Sequence, residues 1–367
     1  MLIEGQAAVL NEAGRDVEIE EITVDDPGPG EVRVKLAASG VCHTDLTVKN
    51  LLGNGMAFPI VLGHEGAGYV ESIGEGVTHL AVGDPVVLAY RAPCGQCPAC
   101  LRGDPRHCYM ALRPGQRIKR KRDGALCSQV LRCGTFSTYT VVHSKAAIKM
   151  PKEMPLDKAC LIACGVVTGV GAAMNTTPVF PGARVAVIGC GGVGLSVVQG
   201  AKLQHARQII AVDVNPTKLG WAKDFGATHF VNAKEGDPVA KVRELADGVG
   251  VEFAYEAVGL PLTIDQAVRM LAYAGTATHI GLPDTGASVT LDLADMDTGV
   301  YWNKATIKVC HAGDTLPSND FPLLAQLYLQ GKLDLDRMVS RVIGLSDVEE
   351  AFHEMETGDV IRSVIHL

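Results

Sequence analysis

The first forty residues alternate apolar and polar side chains, as in Val17-Glu18-Ile19-Glu20 and Val32-Arg33-Val34-Lys35-Leu36, with Pro27-Gly28-Pro29-Gly30 between the two runs. A two-residue period broken by a Pro/Gly turn predicts half-buried strands. After Cys42 a polar stretch predicts a short helix, and Phe58-Pro59-Ile60-Val61-Leu62 then leads into His64. Further strand-like runs at 69–74, 82–88 and 135–142 complete a mostly β domain, whose short strands and Gly/Pro turns predict a distorted barrel. The apolar spacing of 158–164 predicts a buried helix. From Gly165 the period changes: 166–174 is small and apolar, suited to a helix crossing between domains, and 184–188 is a short apolar strand. Helices predicted at 221–225, 239–246 and 263–271 then alternate with strands at 208–212, 227–231, 253–258 and 275–281. Such alternation predicts a doubly wound parallel sheet, an α/β fold. The pattern breaks beyond about residue 311, where a helix over 320–329 and a final helix and strand are expected to return to the first domain. The expected domains are therefore 1–165 with 312–367, and 166–311.

A chain of 367 residues fits two domains better than one core. Its hydrophobic fraction of 47 % and charged fraction of 20 % are those of a globular protein. The net charge of -8 argues against nucleic acid as a partner. With no basic start followed by an apolar run and no convincing membrane span, the expectation is a cytoplasmic protein without membrane partners. Eleven cysteines in so long a chain point to metal ligation rather than a disulfide framework.

Cys94-Gly95-Gln96-Cys97-Pro98-Ala99-Cys100 is followed by Cys108 after seven intervening residues. Four thiols at that spacing can close a tetrahedral zinc site with no open position, a structural site, although free or disulfide-bonded cysteines are the plainer alternative. A second set is looser. His64 stands in Gly63-His64-Glu65-Gly66-Ala67-Gly68, and a lone histidine there is more often a packed core residue. Cys42 upstream and Cys164 downstream change its standing, because two thiolates and one imidazole leave a fourth position on zinc open to an alcohol or water. Six basic residues between Arg113 and Arg122 could suggest a nucleic-acid patch. Without interleaved aromatics in an acidic chain, a solvated loop is the preferred account, with attraction of an anionic substrate or partner left open.

The strand at 184–188 runs into Gly189-Cys190-Gly191-Gly192-Val193-Gly194 and then a predicted helix. The next predicted strand ends in Asp213, about 19 positions after Gly194, where a carboxylate can accept the ribose hydroxyls of a dinucleotide and repel a 2′-phosphate. Gly189, Gly191, Gly192 and Gly194, with Val193, then form the loop that lets backbone approach a pyrophosphate at the helix N-terminus. The cofactor expected is NAD, in the cleft between the two domains; a glycine-rich structural turn is the alternative.

Taken together, these residues resemble the zinc-containing alcohol dehydrogenases of the medium-chain dehydrogenase/reductase superfamily, nearly from end to end. Gly63, His64, Glu65, Gly68 and Gly74 meet the family's glycine-histidine-glutamate pattern. The resemblance implies a GroES-like catalytic domain beside a Rossmann coenzyme domain, and two zinc ions per subunit. Cys42, His64 and Cys164 would be the catalytic ligands and Cys94, Cys97, Cys100 and Cys108 the structural ones. It also implies that Glu65 is the carboxylate behind the metal, that Asp45 orients the His64 ring, and that Thr44 hydrogen-bonds the substrate oxygen. His43 and Arg362 would contact the pyrophosphate, Lys218 the adenosine ribose and Thr168 the nicotinamide, with Tyr90 lining the substrate pocket. Thr47 stands where many members carry a histidine that ends the proton relay. Stretches at 320–322, 327–332 and 343–352 resemble bacterial NAD-linked alcohol dehydrogenases and thiol-adduct formaldehyde dehydrogenases. The implied activity is oxidation of primary alcohols to aldehydes and its reverse, by a homodimer or homotetramer. The rival is oxidation of a formaldehyde-thiol adduct, and a remote alternative is a non-catalytic zinc and nucleotide or nucleic-acid binder.

Overall fold

The computed structural model describes residues 2–50, 57–358 and 360–367. The chain divides into two compact units, Met1–Cys164 with Leu316–Leu367, and Gly165–Thr315.

The first unit is built on the strand Glu31–Gly40, which pairs antiparallel with Glu65–Ile73, with Tyr139–His143 and with the C-terminal strand Arg362–His366. Pro85–Leu88 and Ala147–Lys149 extend this sheet on one side and Val339–Ile343 on the other. A second sheet orders Ile118–Arg120, Glu18–Val24, Ile3–Leu10, Ile60–Val61 and Ser128–Gln129. In the central strand the alternating positions face inward as the sequence pattern requires, and Val32, Val34, Leu36, Val70, Val86 and Leu88 share one buried cluster. Burying an aliphatic side chain of this kind stabilises by about 1.5–3 kcal/mol. In Glu18–Val24 the expectation is reversed at its start, where Ile19 is exposed and Glu20 is buried against Asn11 and Arg122. Two glycines of the family pattern have steric reasons here. A Cβ on Gly68 would lie 2.2 Å from the Lys35 carbonyl oxygen across the strand pair, and one on Gly74 would lie 1.8 Å from that of Gly28.

The basic run lies along an acidic edge. Ile118–Arg120 pairs with Glu18–Val24, and Arg117, Lys119, Lys121 and Arg122 meet Glu31, Asp25, Glu4 and Glu20 at 3.0, 2.7, 3.0 and 3.3 Å. This pairing explains why so many like charges sit in one loop.

In the second unit six strands are all parallel, in the order His229–Asn232, Gln208–Asp213, Arg184–Ile188, Val251–Glu256, Leu271–His279 and Thr306–Val309. The order reverses beside Arg184–Ile188, so the ends of Arg184–Ile188 and Val251–Glu256 border a topological switch point, where open sheets of this type take ligands. The helix Gly165–Gly171 continues through a π-helical turn, Ala172–Thr176, and packs on the helix Gly192–Leu203. Small residues permit that approach: a Cβ on Gly169 would lie 2.3 Å from the Val193 carbonyl oxygen. No single helix among the described residues is long and apolar enough to cross a membrane.

Glu31 ties the first unit's turns together, accepting from Gly28 N at 2.7 Å, Gly115 N at 2.5 Å and Arg117 Nε at 3.0 Å. Burial raises its pKa, but these donors outweigh it and hold the carboxyl below its ordinary value. A depressed folded pKa means stability present above the unfolded value and lost as pH falls through the folded one. Glu31→Gln is therefore expected to cost about 1–2 kcal/mol at neutral pH. Denaturant melts should show the difference from wild type shrinking below about pH 4; a difference independent of pH would contradict this role.

Candidate active site

The register of Glu31–Gly40 gathers the site. Gly40 lies opposite Glu65 on one side and Val364 on the other, so Cys42, the His64-Glu65 pair and Arg362 arrive at the same end of the sheet. Val41 N donates to Ser363 O at 3.0 Å, closing the arrangement. Gly63 turns the chain into this corner with φ of 90°, a left-handed value that favours glycine. Cys164 comes from elsewhere. The expected buried helix over 158–164 is instead a short α-helix, Leu156–Ala159, followed by a 3₁₀ turn, Cys160–Ala163. Cys164 itself is non-helical, with φ −141° and ψ −77°, so the ligand candidate sits where the helix breaks and its side chain leaves the helical path.

Cys42, His64, Glu65 and Cys164 bring their donor atoms within 4.8 Å of one another. His64 is fully buried; its Nδ1 meets Asp45 Oδ1 at 3.1 Å, and the same oxygen accepts from Gly63 N at 3.0 Å. His64 Nε2 is buried with no hydrogen-bond partner. An imidazole nitrogen left unpaired in the interior is costly, and a metal ion resolves it. The thiols agree. The hydrogen bond with Cys164 leads in pushing Cys42 well below the ordinary thiol range, against burial and with help from His64 and Arg362. That same bond, with burial, pushes Cys164 the other way. One thiolate and one thiol beside an imidazole form a set from which a divalent ion displaces the remaining proton. Glu65 is raised to about 7, by burial first and by the Cys42 charge, while Arg362 opposes the rise. Arg362 is itself buried and its Nη2 is bonded to Glu65 Oε2. The sequence reading named both residues but missed this pairing, which spans 297 positions and leaves no local signal.

Around the donors, Tyr90 stands edge-on to His64 with ring centroids 5.9 Å apart and planes at 87°. His43 is exposed and Thr44 half-buried at the start of the helix His43–Asn50, and Thr47 on that helix donates to the His43 carbonyl at 3.0 Å.

The four-cysteine loop is a second donor set, with Cys94, Cys97, Cys100 and Cys108 sulfurs also within 4.8 Å of one another. Backbone amides support the charge that thiolates need: Gln96 N and Cys97 N point at Cys94 Sγ at 3.4 and 3.3 Å, and Cys94 N at Cys108 Sγ at 3.3 Å. Backbone hydrogen bonding lowers Cys97 to about 6, while burial raises Cys100 to about 11.

Of the dinucleotide candidates, His43 and Arg362 lie in the first unit and the others in the second. Gly189 has φ of 88°, a Cβ on Gly194 would lie 1.8 Å from the Gly189 carbonyl oxygen, and one on Gly191, which caps Gly192–Leu203, would meet nothing within 4 Å. The loop is therefore tight beneath and open above, as backbone approach to a phosphate requires. Val193 is half-buried at the start of that helix. Asp213 ties into the loop, its Oδ2 accepting from Cys190 N at 2.7 Å and its Oδ1 from Asn215 N at 2.9 Å. Lys218 is half-buried on Pro216–Phe225, and Thr168 is half-buried on Gly165–Gly171.

Comparison with known proteins follows the same two-part layout. Residues 28–152 match the alcohol dehydrogenase GroES-like domain, and residues 192–330 match the zinc-binding dehydrogenase domain. An S-(hydroxymethyl)glutathione dehydrogenase of Komagataella pastoris is 38 % identical, over 99 % of this chain and 98 % of its own. Among solved structures, an alcohol dehydrogenase zinc-binding domain protein from Burkholderia ambifaria superposes with a TM-score of 0.94 at 35 % identity, covering 100 % of both chains. Benzyl alcohol dehydrogenase from Acinetobacter calcoaceticus superposes with a TM-score of 0.91 at 34 % identity, covering 100 % of this chain and 99 % of its own. The chain belongs to the zinc-containing alcohol dehydrogenases of the medium-chain dehydrogenase/reductase superfamily, which are nicotinamide-dependent oxidoreductases.

A carboxylate at 3.1 Å from Nδ1, as Asp45 is, favours the His64 tautomer that leaves Nε2 free for a metal. Asp45→Asn is expected to weaken zinc binding by about 10- to 100-fold, read by chelator competition; unchanged affinity would contradict it.

Proposed function

We propose that the protein interconverts primary alcohols and aldehydes with NAD, at the site formed by Cys42, His64 and Cys164. The observation that carries this reading is the set of two thiols and one imidazole, with Cys42 and His64 buried, Cys164 half-buried and His64 Nε2 unpartnered. Three protein donors leave a position for substrate, whereas the four-cysteine set has none and serves as the structural site. A zinc ion held by the three donors supplies the Lewis acidity that eases loss of the alcohol proton, and the dinucleotide supplies the two-electron acceptor.

The chain's own residues do the rest. Asp45 holds the His64 ring, and the Glu65–Arg362 pair balances charge beneath the thiolates. Arg362 and His43 are proposed to meet the cofactor pyrophosphate, Lys218 its adenosine ribose and Thr168 its nicotinamide. Asp213 favours NAD, since a carboxylate accepts ribose hydroxyls and repels a 2′-phosphate. Thr44 relays the proton, its hydroxyl oxygen accepting from the alcohol as its own hydroxyl proton passes on towards solvent. Thr47 cannot pass it on as an imidazole would, because its hydroxyl is committed to the His43 carbonyl and does not ionise near neutral pH. The proton therefore leaves by a path without histidine at that position. A second reading, oxidation of a formaldehyde-thiol adduct, is favoured by the name of the Komagataella relative. Formaldehyde oxidised only in the presence of a thiol would select it.

The assembly is proposed to be a homo-oligomer. Thr306–Val309 is the edge of the parallel sheet and all four residues are exposed, Val309 at 75 %, with Met296 at 80 % and Tyr301 at 72 % in the same unit. An open apolar edge is a template for pairing.

Cys42→Ser and His64→Ala are each expected to lower alcohol-dependent NAD reduction by more than about a hundredfold, while cofactor fluorescence titration still shows NAD bound. Full activity in either variant would defeat the assignment. Val309→Lys should lower the sedimenting mass, and a wild-type protein that sediments as a monomer would contradict the assembly.

A further inference from the structure

Ile188, Glu256, His279 and Val309 are the last residues of four consecutive strands of the parallel sheet. They are register partners, so their side chains leave the sheet on one face. That face is covered by the helix Pro261–Arg269, since Ile188 shares a buried cluster with its Ala267 and Val268. Tyr255 and Thr278, one position earlier, point the other way and both bond to Thr177. Gly189, the first glycine of the dinucleotide loop, directly follows Ile188, and Ala257 N ties the two strands by donating to Ile188 O at 2.9 Å. Glu256 and His279 therefore lie one and two strands from that loop, about 5 and 10 Å across the sheet.

Glu256 is fully buried, and its two oxygens differ. Oε1 accepts from Val258 N and Gly259 N, each at 2.7 Å, and from Thr263 Oγ1 at 2.8 Å. Three donors on one oxygen suit a charged carboxylate, yet Oε2 has no partner. On the next strand His279 is half-buried, and both its ring nitrogens are buried without partners. Three unmet polar atoms on neighbouring side chains are costly in a dry place. Burial holds the His279 pKa below its ordinary value, and the Glu256 charge pulls the other way. Other charged groups of the surrounding elements are engaged elsewhere. Lys308 lies on the opposite face with Nζ donating to Thr176 O at 3.0 Å, and Asp265 and Arg269 of the covering helix meet each other at 3.6 Å. Arg243 reaches the far end of the strand, at Leu271 O, while Asp284, Asp292, Asp295 and Asp297 of the following segment are exposed.

A dinucleotide brings an anionic pyrophosphate to the glycine loop, and its field adds to that of the buried Glu256. Both favour a cation on the neighbouring strand, and His279 is the group placed to become one. We propose that His279 takes a proton from solvent when the dinucleotide binds at the glycine loop and returns it when the dinucleotide leaves, so that cofactor affinity is linked to pH through a residue outside the zinc site. The proton joins one ring nitrogen, and the imidazolium then answers the unmet charge on Glu256 Oε2. This rests on the NAD reading of the loop and adds a proton-linked control to it. A group whose pKa is raised by a ligand gives affinity that is greatest below the free-protein pKa and is lost as pH rises through the pKa of the complex.

NADH binding is to be followed between about pH 5 and 8 by fluorescence titration, by calorimetry in two buffers of different ionisation enthalpy, and by NMR of histidine-labelled protein with and without saturating NADH. Kd is expected to rise about tenfold from the acid to the alkaline end, matching an upward move of about one pH unit in one histidine midpoint on binding, with net proton uptake in between. In His279→Gln, which cannot take the proton, that resonance is absent, the pH dependence of Kd flattens and the uptake falls. A merely structural role would instead weaken binding equally at every pH. Uptake and pH dependence undiminished in His279→Gln place the proton on another group and overturn the proposal. Whether or not the variant folds, the proposal is also overturned if none of the eleven wild-type histidines has its midpoint raised by NADH; the dinucleotide reading then stands. No NADH binding at any pH overturns both.

Discussion

One register governs the first unit: Gly40 opposite Glu65 on one side and opposite Val364 on the other. A shift by one residue would turn every inward side chain of Glu31–Gly40 to the opposite face and carry Cys42 away from His64. The buried clusters on the sheet oppose such a slip, and so do the glycines at which neighbouring backbone leaves no room for a side chain. Packing of the sheet and assembly of the donor set are consequently the same event. The last strand takes part in it, since Arg362 reaches Glu65 only because the chain's C-terminal segment returns to pair with Glu31–Gly40.

The corner so formed concentrates charge in a dry place. Cys42, His64, Glu65, Asp45 and Arg362 are all buried, and each isolated charge there would be strongly unfavourable. They are tolerable as a network: Asp45 with His64, Glu65 with Arg362, Cys42 with Cys164. What the protein groups leave unmet is the His64 nitrogen that faces the thiols, and a divalent cation supplies the missing partner.

The α/β class and the parallel sheet were legible in the sequence because both rest on period. Alternation of two marks the strands of the first unit, and the return of short apolar strands between helices marks the second. The sequence could not convey what depends on three-dimensional closure. The helix expected through Cys164 has the apolar spacing of a helix, but the chain breaks after Ala163, and that break aims the thiol. The bond between Glu65 and Arg362 joins the two ends of the first unit, and no local pattern announces it. Basic residues at 113–122 looked uniform in sequence; the structure sorts them into those that meet the acidic strand Glu18–Val24 or its neighbours and Arg113, which does not.

The central claim is that two donor sets of different chemistry hold two zinc ions, and that one of them is open. Zinc-edge X-ray absorption on the purified protein addresses it most directly, comparing wild type with His64→Ala. The account predicts two zinc ions per chain in the wild type, with sulfur and nitrogen both in the averaged shell, and in the variant an all-sulfur shell from the surviving four-cysteine site. A wild-type shell of sulfur alone, or nitrogen ligation undiminished in the variant, would contradict it.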